Sequence, residues 1–183
     1  MRIFIGIPFK DKDKERLQKI QKTVKEKSEG GRFAEPENFH LTLKFIGEIQ
    51  EEKIQAISEV IKKAAGEVPP FKMVLQGFGV FRKGKTCIPW LGVQEGQEGL
   101  GELQGKIEGG LEEIGFKKES RPFQPHMTFG RKVQLSSSEE TYLQEVLKKE
   151  QVSMEVTSVA IMESTRIEGK LVYPVIHECS LSK

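Results

Sequence analysis

The chain has 183 residues, 37% hydrophobic and 31% charged, with 29 basic against 27 acidic side chains and a formal net charge of +2. These values describe a soluble chain able to bury its own core, and they exclude a disordered segment, a disulfide-stapled mini-domain and a polybasic nucleic-acid tail. Cys87 and Cys179 are the only cysteines and show no metal-type spacing, and no apolar run approaches the roughly 20 residues of a membrane span, so a cytoplasmic chain with two reduced thiols is expected.

The apolar start, residues 1–9, is too short for a secretory signal and runs into Lys10-Asp11-Lys12-Asp13-Lys14. Residues 3–8 read as a strand ended by Pro8. A helix over 11–29 follows, with Leu17, Ile20 and Val24 at helical spacing and Gly30-Gly31 as its stop. Residues 40–47 form the next strand. Ile54, Ile57, Ile61 and Ala64 or Ala65 mark one face of a second helix, closed by Gly66 and Pro69-Pro70. Strands over 71–81 and 86–93 are joined by the turn Lys83-Gly84-Lys85. Leu100, Leu103, Ile107, Leu111 and Ile114 form a third helical stripe. Gly101, Gly105 and Gly109 lie in it, each costing about 1 kcal/mol relative to Ala, which implies either close backbone packing or a weak helix. Pro125 precedes a strand over 126–133. Ser136-Ser137-Ser138-Glu139-Glu140 offers a capping box for a helix to about residue 150, and strands over 152–162 and 170–181 complete the chain.

This order repeats. Strand, helix, strand beginning with His, helix, strand occurs twice, and the spacing from Ile3 to His40 nearly equals that from Ile88 to His126. The expected fold is α+β: one domain over 1–183 with two pseudo-symmetric lobes, each an antiparallel sheet flanked by helices, around a central groove.

The repeated strands read His40-Leu41-Thr42-Leu43 and His126-Met127-Thr128-Phe129. Residues i and i+2 of a strand share a face, so each His and its Thr point one way and the two apolar residues the other. The apolar faces can pack on helices while the polar faces look at each other across the groove. A bland reading makes each His-Thr pair a hydrogen-bonded polar face with no chemistry, but recurrence at equivalent positions of a repeat argues for a shared site. Two imidazoles and two hydroxyls suit opening of a cyclic phosphodiester. Threonine hydroxyls donate to the non-bridging oxygens, a neutral imidazole takes a proton from water, and an imidazolium returns one to the departing ribose oxygen. Two histidines are too few for a typical zinc site, there is no HxH or HExxH, and no carboxylate shares the His faces, so neither metal nor cofactor is expected.

With these motifs the chain resembles the two-histidine phosphoesterases, and in particular the RNA 2′,3′-cyclic phosphodiesterases also called 2′-5′ RNA ligases (LigT or ThpR type). The resemblance covers nearly the whole chain. It is carried by Met1-Arg2-Ile3-Phe4-Ile5-Gly6-Ile7, Glu37-Asn38-Phe39-His40-Leu41-Thr42-Leu43-Lys44-Phe45-Ile46-Gly47-Glu48, Pro89-Trp90-Leu91-Gly92-Val93 and Arg121-Pro122-Phe123-Gln124-Pro125-His126-Met127-Thr128-Phe129-Gly130-Arg131. It implies cleavage of the P–O3′ bond to leave a 2′-phosphate, with His40 as proton donor and His126 as proton acceptor; spacing alone assigns neither role. It also implies a reverse, ATP-independent joining to a 2′-5′ linkage. The implied partners are RNA ends, with tRNA and its fragments as one source, and a monomeric chain is expected.

Other residues carry weaker signals. Arg131 matches a phosphate- or nucleotide-contacting position of similar enzymes; strict alternation opposes it to His126, and a bulge at Gly130 would turn it back. Lys44 shares the parity of His40 and Thr42 and reads equally well as a second substrate-binding candidate or as a solvated strand-end lysine. Phe4 matches a base-stacking position and reads equally well as core. Arg121, Lys117, Lys118, Arg166 and Lys170 are candidates for an RNA backbone, each alone reading as plain surface charge. His177 lacks the Thr and reads as structural; Trp90 reads as core. Two rival functions remain: a phosphodiesterase for small cyclic phosphates, such as cyclic nucleotides or ADP-ribose 1″,2″-cyclic phosphate, and a binding module for RNA ends without turnover. A long basic groove favours RNA; a closed pocket favours the small molecule.

Overall fold

The computed structural model describes residues 1–182. Strand β1 (Arg2–Pro8) is apolar at almost every position and so becomes an inner strand buried on both faces. Helix α1 (Asp11–Lys27) buries Leu17, Ile20 and Val24 and ends short of Glu29, because the Ser28 N–H and hydroxyl satisfy its last carbonyls. There follow β2 (Arg32–Phe33), β3 (His40–Glu48), α2 (Ile54–Gly66), β4 (Phe71–Lys83), β5 (Thr86–Glu95) and α3 (Gln97–Glu113). The remainder is β6 (His126–Thr128), β7 (Gly130–Arg131), α4 (Ser137–Val146), β8 (Gln151–Val156), β9 (Ser158–Glu163), β10 (Thr165–Ile167), β11 (Lys170–Val172) and β12 (Val175–Ser180).

Two four-stranded antiparallel sheets form, in the orders β12-β9-β1-β3 and β8-β4-β5-β6. They match strand for strand, as a pseudo-two-fold requires, but neither is one half of the sequence. After β3 the chain crosses through α2 into the second sheet, and it returns at Thr157. The continuous strand expected over 152–162 is therefore two strands: β8 pairs with β4, while β9 pairs with β1 and β12. Helices α2 and α3 cover the first sheet, and α1 and α4 lie against the second. One contiguous apolar core spans both sheets, so the lobes share their interior.

The expected capping box is present at α4: the Glu139 N–H donates to the Ser136 hydroxyl and the Ser136 N–H to the Glu139 carboxylate. The helix stops at Val146 rather than about residue 150, its end closed by turns through Leu147. In α3 the glycines that suggested close packing, Gly101, Gly105 and Gly109, face open space. The close approach is at Gly110, where a Cβ would sit 2.7 Å from Val60 of α2. Ile114, expected on the buried stripe, lies beyond α3 and is 41% exposed.

Candidate active site

The strands that open with histidine, β3 and β6, are the edge strands of the two sheets. They approach each other without sharing a backbone ladder. Two such edges leave a groove between the sheets, and each presents the polar face of its His-x-Thr motif there. Leu41 and Met127, on the opposite faces, are fully buried.

Both imidazoles are held in the same way. The carbonyl two residues upstream accepts from Nδ1–H: Asn38 O at 2.7 Å for His40, and Gln124 O at 2.7 Å for His126. A carbonyl can only accept, so the neutral tautomer carries its proton on Nδ1 and leaves Nε2 as the reacting nitrogen. His40 Nε2 accepts from the Thr42 hydroxyl at 2.9 Å. The His40 ring lies 4.7 Å from Phe4 and edge-on to Tyr173 at 5.2 Å; His126 packs edge-on against Phe81 at 5.1 Å, with Trp90 at 6.3 Å.

These aromatic walls lower both histidines. Burial pushes His40 down to about 4, against the pull of the Asn38 carbonyl and with help from the charges of Arg131, Lys14 and His126. Burial also lowers His126; Gln124 opposes the shift and Arg131 adds to it. His126 thus acts on His40, and Arg131 acts on both.

Two open cavities of similar size meet over Thr42 and Phe45. One, about 770 Å³, is walled by His40, Phe4, Arg2, Arg131, Arg166 and Tyr173. The other, about 760 Å³, is walled by His126, Phe81, Phe123, Arg121, Glu108 and Glu119. Thr128 lies half-exposed on the face of His126, opposite Trp90 in the ladder, and outside both walls.

Arg131 reaches the groove by a change of partner. The strand expected over 126–133 breaks at Phe129, whose N–H donates to Pro89 O and whose carbonyl accepts from Ala34 N–H and Gln21 Nε2. Beyond the break, Gly130 and Arg131 pair with Phe33 and Arg32. A Cβ on Gly130 would meet Arg32 O at 2.8 Å, so this pairing needs glycine. Arg131 has no ion-pair partner among the described residues.

Lys44 behaves differently from its parity. Against β1, Leu43 and Ile46 are extra residues in β3, so the side-chain alternation slips. Leu43 and Lys44 are both buried, and Phe45, 50% exposed, takes the groove position expected for Lys44. The Lys44 ammonium pairs with Glu108 at 2.6 Å, each side chain more than nine-tenths buried, and donates to Lys117 O at 3.0 Å. It lies on the wall of the second cavity, with its charge already matched. Glu108 in turn accepts from the Glu119 N–H at 3.1 Å, so this buried pair ties β3 and α3 to the loop that leads to Gln124 and His126.

Phe4 is 3% exposed and packs with Ala160, Met162 and Tyr173, so it backs His40 from the floor of the cavity. Trp90 is not core as read from sequence: it is half-buried on the face of His126, lying flat over Gly79 and against Phe81. His177 is exposed on the outer strand β12, away from the groove. Of the basic candidates, Arg166 and Arg121 line the first and second cavities, Lys117 and Lys118 line a smaller pocket of about 340 Å³, and Lys170 lies outside both walls. Phe45, Phe81 and Tyr173 were missed. The bulge that exposes Phe45 and the crossover that delivers Tyr173 leave no mark in local sequence periodicity.

No group of three His, Cys, Asp or Glu able to hold a metal occurs among the described residues, and no helix is long and apolar enough to cross a membrane. Comparison with known proteins gives the family and the fold. The family profile of the 2′-5′ RNA ligase superfamily matches residues 8–168. An RNA 2′,3′-cyclic phosphodiesterase of Thermotoga maritima is 31% identical over 98% of this chain and 95% of its own. A crystal structure from Thermus thermophilus superposes with a TM-score of 0.80 at 24% identity, over 99% of this chain and 98% of that one. Escherichia coli LigT complexed with 3′-AMP gives a TM-score of 0.78 at 23% identity, over 100% and 98%. The chain therefore belongs to the 2′-5′ RNA ligase superfamily.

Proposed function

We propose that this protein is an RNA 2′,3′-cyclic phosphodiesterase, as its Thermotoga maritima relative is named, opening the cyclic end to a 2′-phosphate with His40 as acid and His126 as base. One observation carries the reading: two imidazoles on facing edge strands, each with Nδ1–H tied to a carbonyl and Nε2 left for chemistry. Water attacks phosphorus while His126 Nε2 takes its proton. The P–O3′ bond breaks on the opposite side, and His40 Nε2–H protonates the departing O3′. Once His40 is protonated, its Nε2 no longer accepts from Thr42, and that hydroxyl turns to a non-bridging oxygen; Thr128 serves the other side. The unpaired Arg131 guanidinium adds fixed positive charge to the anionic transition state.

The protein's own groups hold His40 at about 4, which suits a base better than an acid. The cyclic phosphate supplies the missing term: an anion beside the imidazole favours its charged form and loads the proton that O3′ receives. Both proton transfers use imidazoles, so the scheme needs no metal or cofactor. With a 5′-hydroxyl in place of water as the nucleophile, the same attack and the same release of O3′ join the two ends through a 2′-5′ linkage. All the groups come from one two-lobed domain, which acts as a monomer. The open, arginine-lined groove favours an RNA end over a small cyclic phosphate.

The test is product analysis after incubating an oligonucleotide ending in a 2′,3′-cyclic phosphate with the protein in EDTA. The expected product is a 2′-phosphate with a free 3′-hydroxyl. A 3′-phosphate product, or binding without turnover, overturns the proposal.

A further inference from the structure

The two cavities beside the histidines are alike in size, but one wall is charge-balanced and the other purely cationic. The wall on the His126 side carries Lys44 and Arg121 together with Glu108 and Glu119. The wall on the His40 side carries Arg2, Arg131 and Arg166 and no carboxylate. We propose that the His40-side cavity binds the phosphodiester backbone of the nucleotides 5′ to the reacting end, so that the enzyme selects an RNA chain over a mononucleotide; this rests on the reading above.

The chemistry of the substrate gives the asymmetry a meaning. A chain ending in a 2′,3′-cyclic phosphate carries all its other phosphates on one side of the terminal ribose, and the leaving O3′ belongs to that same ribose. The strand therefore exits through one cavity, and repeated negative charge favours the wall without carboxylates. The guanidiniums there are available. Arg2 lies over the Phe45 ring at 5.0 Å, a contact that uses its face and leaves its N–H edge free. Arg166 donates one bond, at 2.8 Å, to Gly169 O. The half-exposed Phe45 ring beside Arg2 offers a face on which a base can stack whatever its identity.

The outer wall is also registered to the catalytic imidazole. Arg166 and Leu171 belong to the hairpin of β10 and β11. Asn38, whose carbonyl holds His40 Nδ1, donates through its side chain to Leu171 O at 2.9 Å, and Tyr173 meets the His40 ring edge-on. A backbone seated on this hairpin thus stands at a set distance from His40.

The experiment compares wild type with Arg2→Gln, Arg166→Gln and the double variant on two substrates: a mononucleoside 2′,3′-cyclic phosphate, and a single-stranded oligonucleotide with the same end. In parallel, fluorescence anisotropy measures binding of an oligonucleotide ending in an uncleavable 2′-phosphate. The expected result for the double variant is a loss of about tenfold or more in oligonucleotide kcat/KM and affinity, with a mononucleotide kcat/KM that falls several-fold less. The salt slope of binding should fall by about 0.7 for each phosphate that an arginine no longer neutralises. Unchanged oligonucleotide binding, or equal losses on both substrates, overturns the proposal. Failure of wild type to turn over either substrate refutes the hydrolytic reading instead, and the binding arm still decides this one.

Discussion

The buried pair of Lys44 and Glu108 gives the sharpest stability prediction. The two side chains are 9% and 6% exposed and 2.6 Å apart, and between them they also hold Lys117 O and Glu119 N–H. Lys44→Met removes the cation and strands a carboxylate in the interior, which costs about 3–5 kcal/mol. For a chain of this size each kcal/mol moves Tm by about 2–4 °C, so the midpoint should fall by roughly 6–20 °C. Replacing both partners, as Lys44→Met/Glu108→Leu, removes the unpaired charge and leaves only two backbone groups of an exposed loop without partners, each worth about 1 kcal/mol. The double variant should therefore be more stable than Lys44→Met alone. Urea and thermal unfolding of wild type, Lys44→Met, Glu108→Leu and the double variant measures this directly. Single variants that each cost less than about 1 kcal/mol would refute the reasoning, because the pair would then behave like a surface ion pair. The loop it anchors leads to Gln124, whose carbonyl sets the His126 tautomer, so the double variant should keep its fold and lose kcat.

Three further predictions rest on the same geometry. A histidine held at about 4 when folded and near 6.5 when unfolded stays neutral in the native state while the unfolded chain takes up a proton, so stability is full above pH 6.5 and falls as pH drops towards 4; the loss from His40 is on the order of 3 kcal/mol, and His40→Gln should flatten that part of the curve in unfolding experiments. Removing the guanidinium in Arg131→Met takes away a charge that lowers both histidines, so NMR titration should find both pKa values higher and phosphate affinity lower; unchanged values would place Arg131 outside the site. Gly130→Ala puts a methyl 2.8 Å from Arg32 O and should cost about 1–3 kcal/mol and displace Arg131; a neutral effect on unfolding and on phosphate binding would show that the pairing of β2 and β7 is dispensable.

Much of this was legible in the residues. Period-two alternation put His40 with Thr42 and His126 with Thr128, and the buried Leu41 and Met127 fit that assignment. The repeated order of elements announced two matching sheets. What could not be read were events that need a partner strand. The bulges in β3 turn Lys44 inward and Phe45 outward, and they exist only against β1. The exchange of sheets at Thr157 looks in sequence like one long strand, because the alternating Val152, Met154 and Val156 are followed, with no Gly or Pro between, by the apolar run Val159, Ala160, Ile161 and Met162 of β9. Arg131 enters the groove only because Gly130 lets β2 approach closely. Trp90 is apolar and flanked by apolar residues, yet it sits on the groove face.

The most direct measurement of the central claim is kcat/KM in EDTA on one cyclic-ended oligonucleotide for wild type, His40→Ala, His126→Ala and the double variant. If the imidazoles work on one phosphorus centre, each single loss costs about 10²- to 10⁴-fold, and the double costs little more than the worse single, because groups acting as a unit are not additive. A single variant at the wild-type rate, or two losses that simply multiply, would contradict the account.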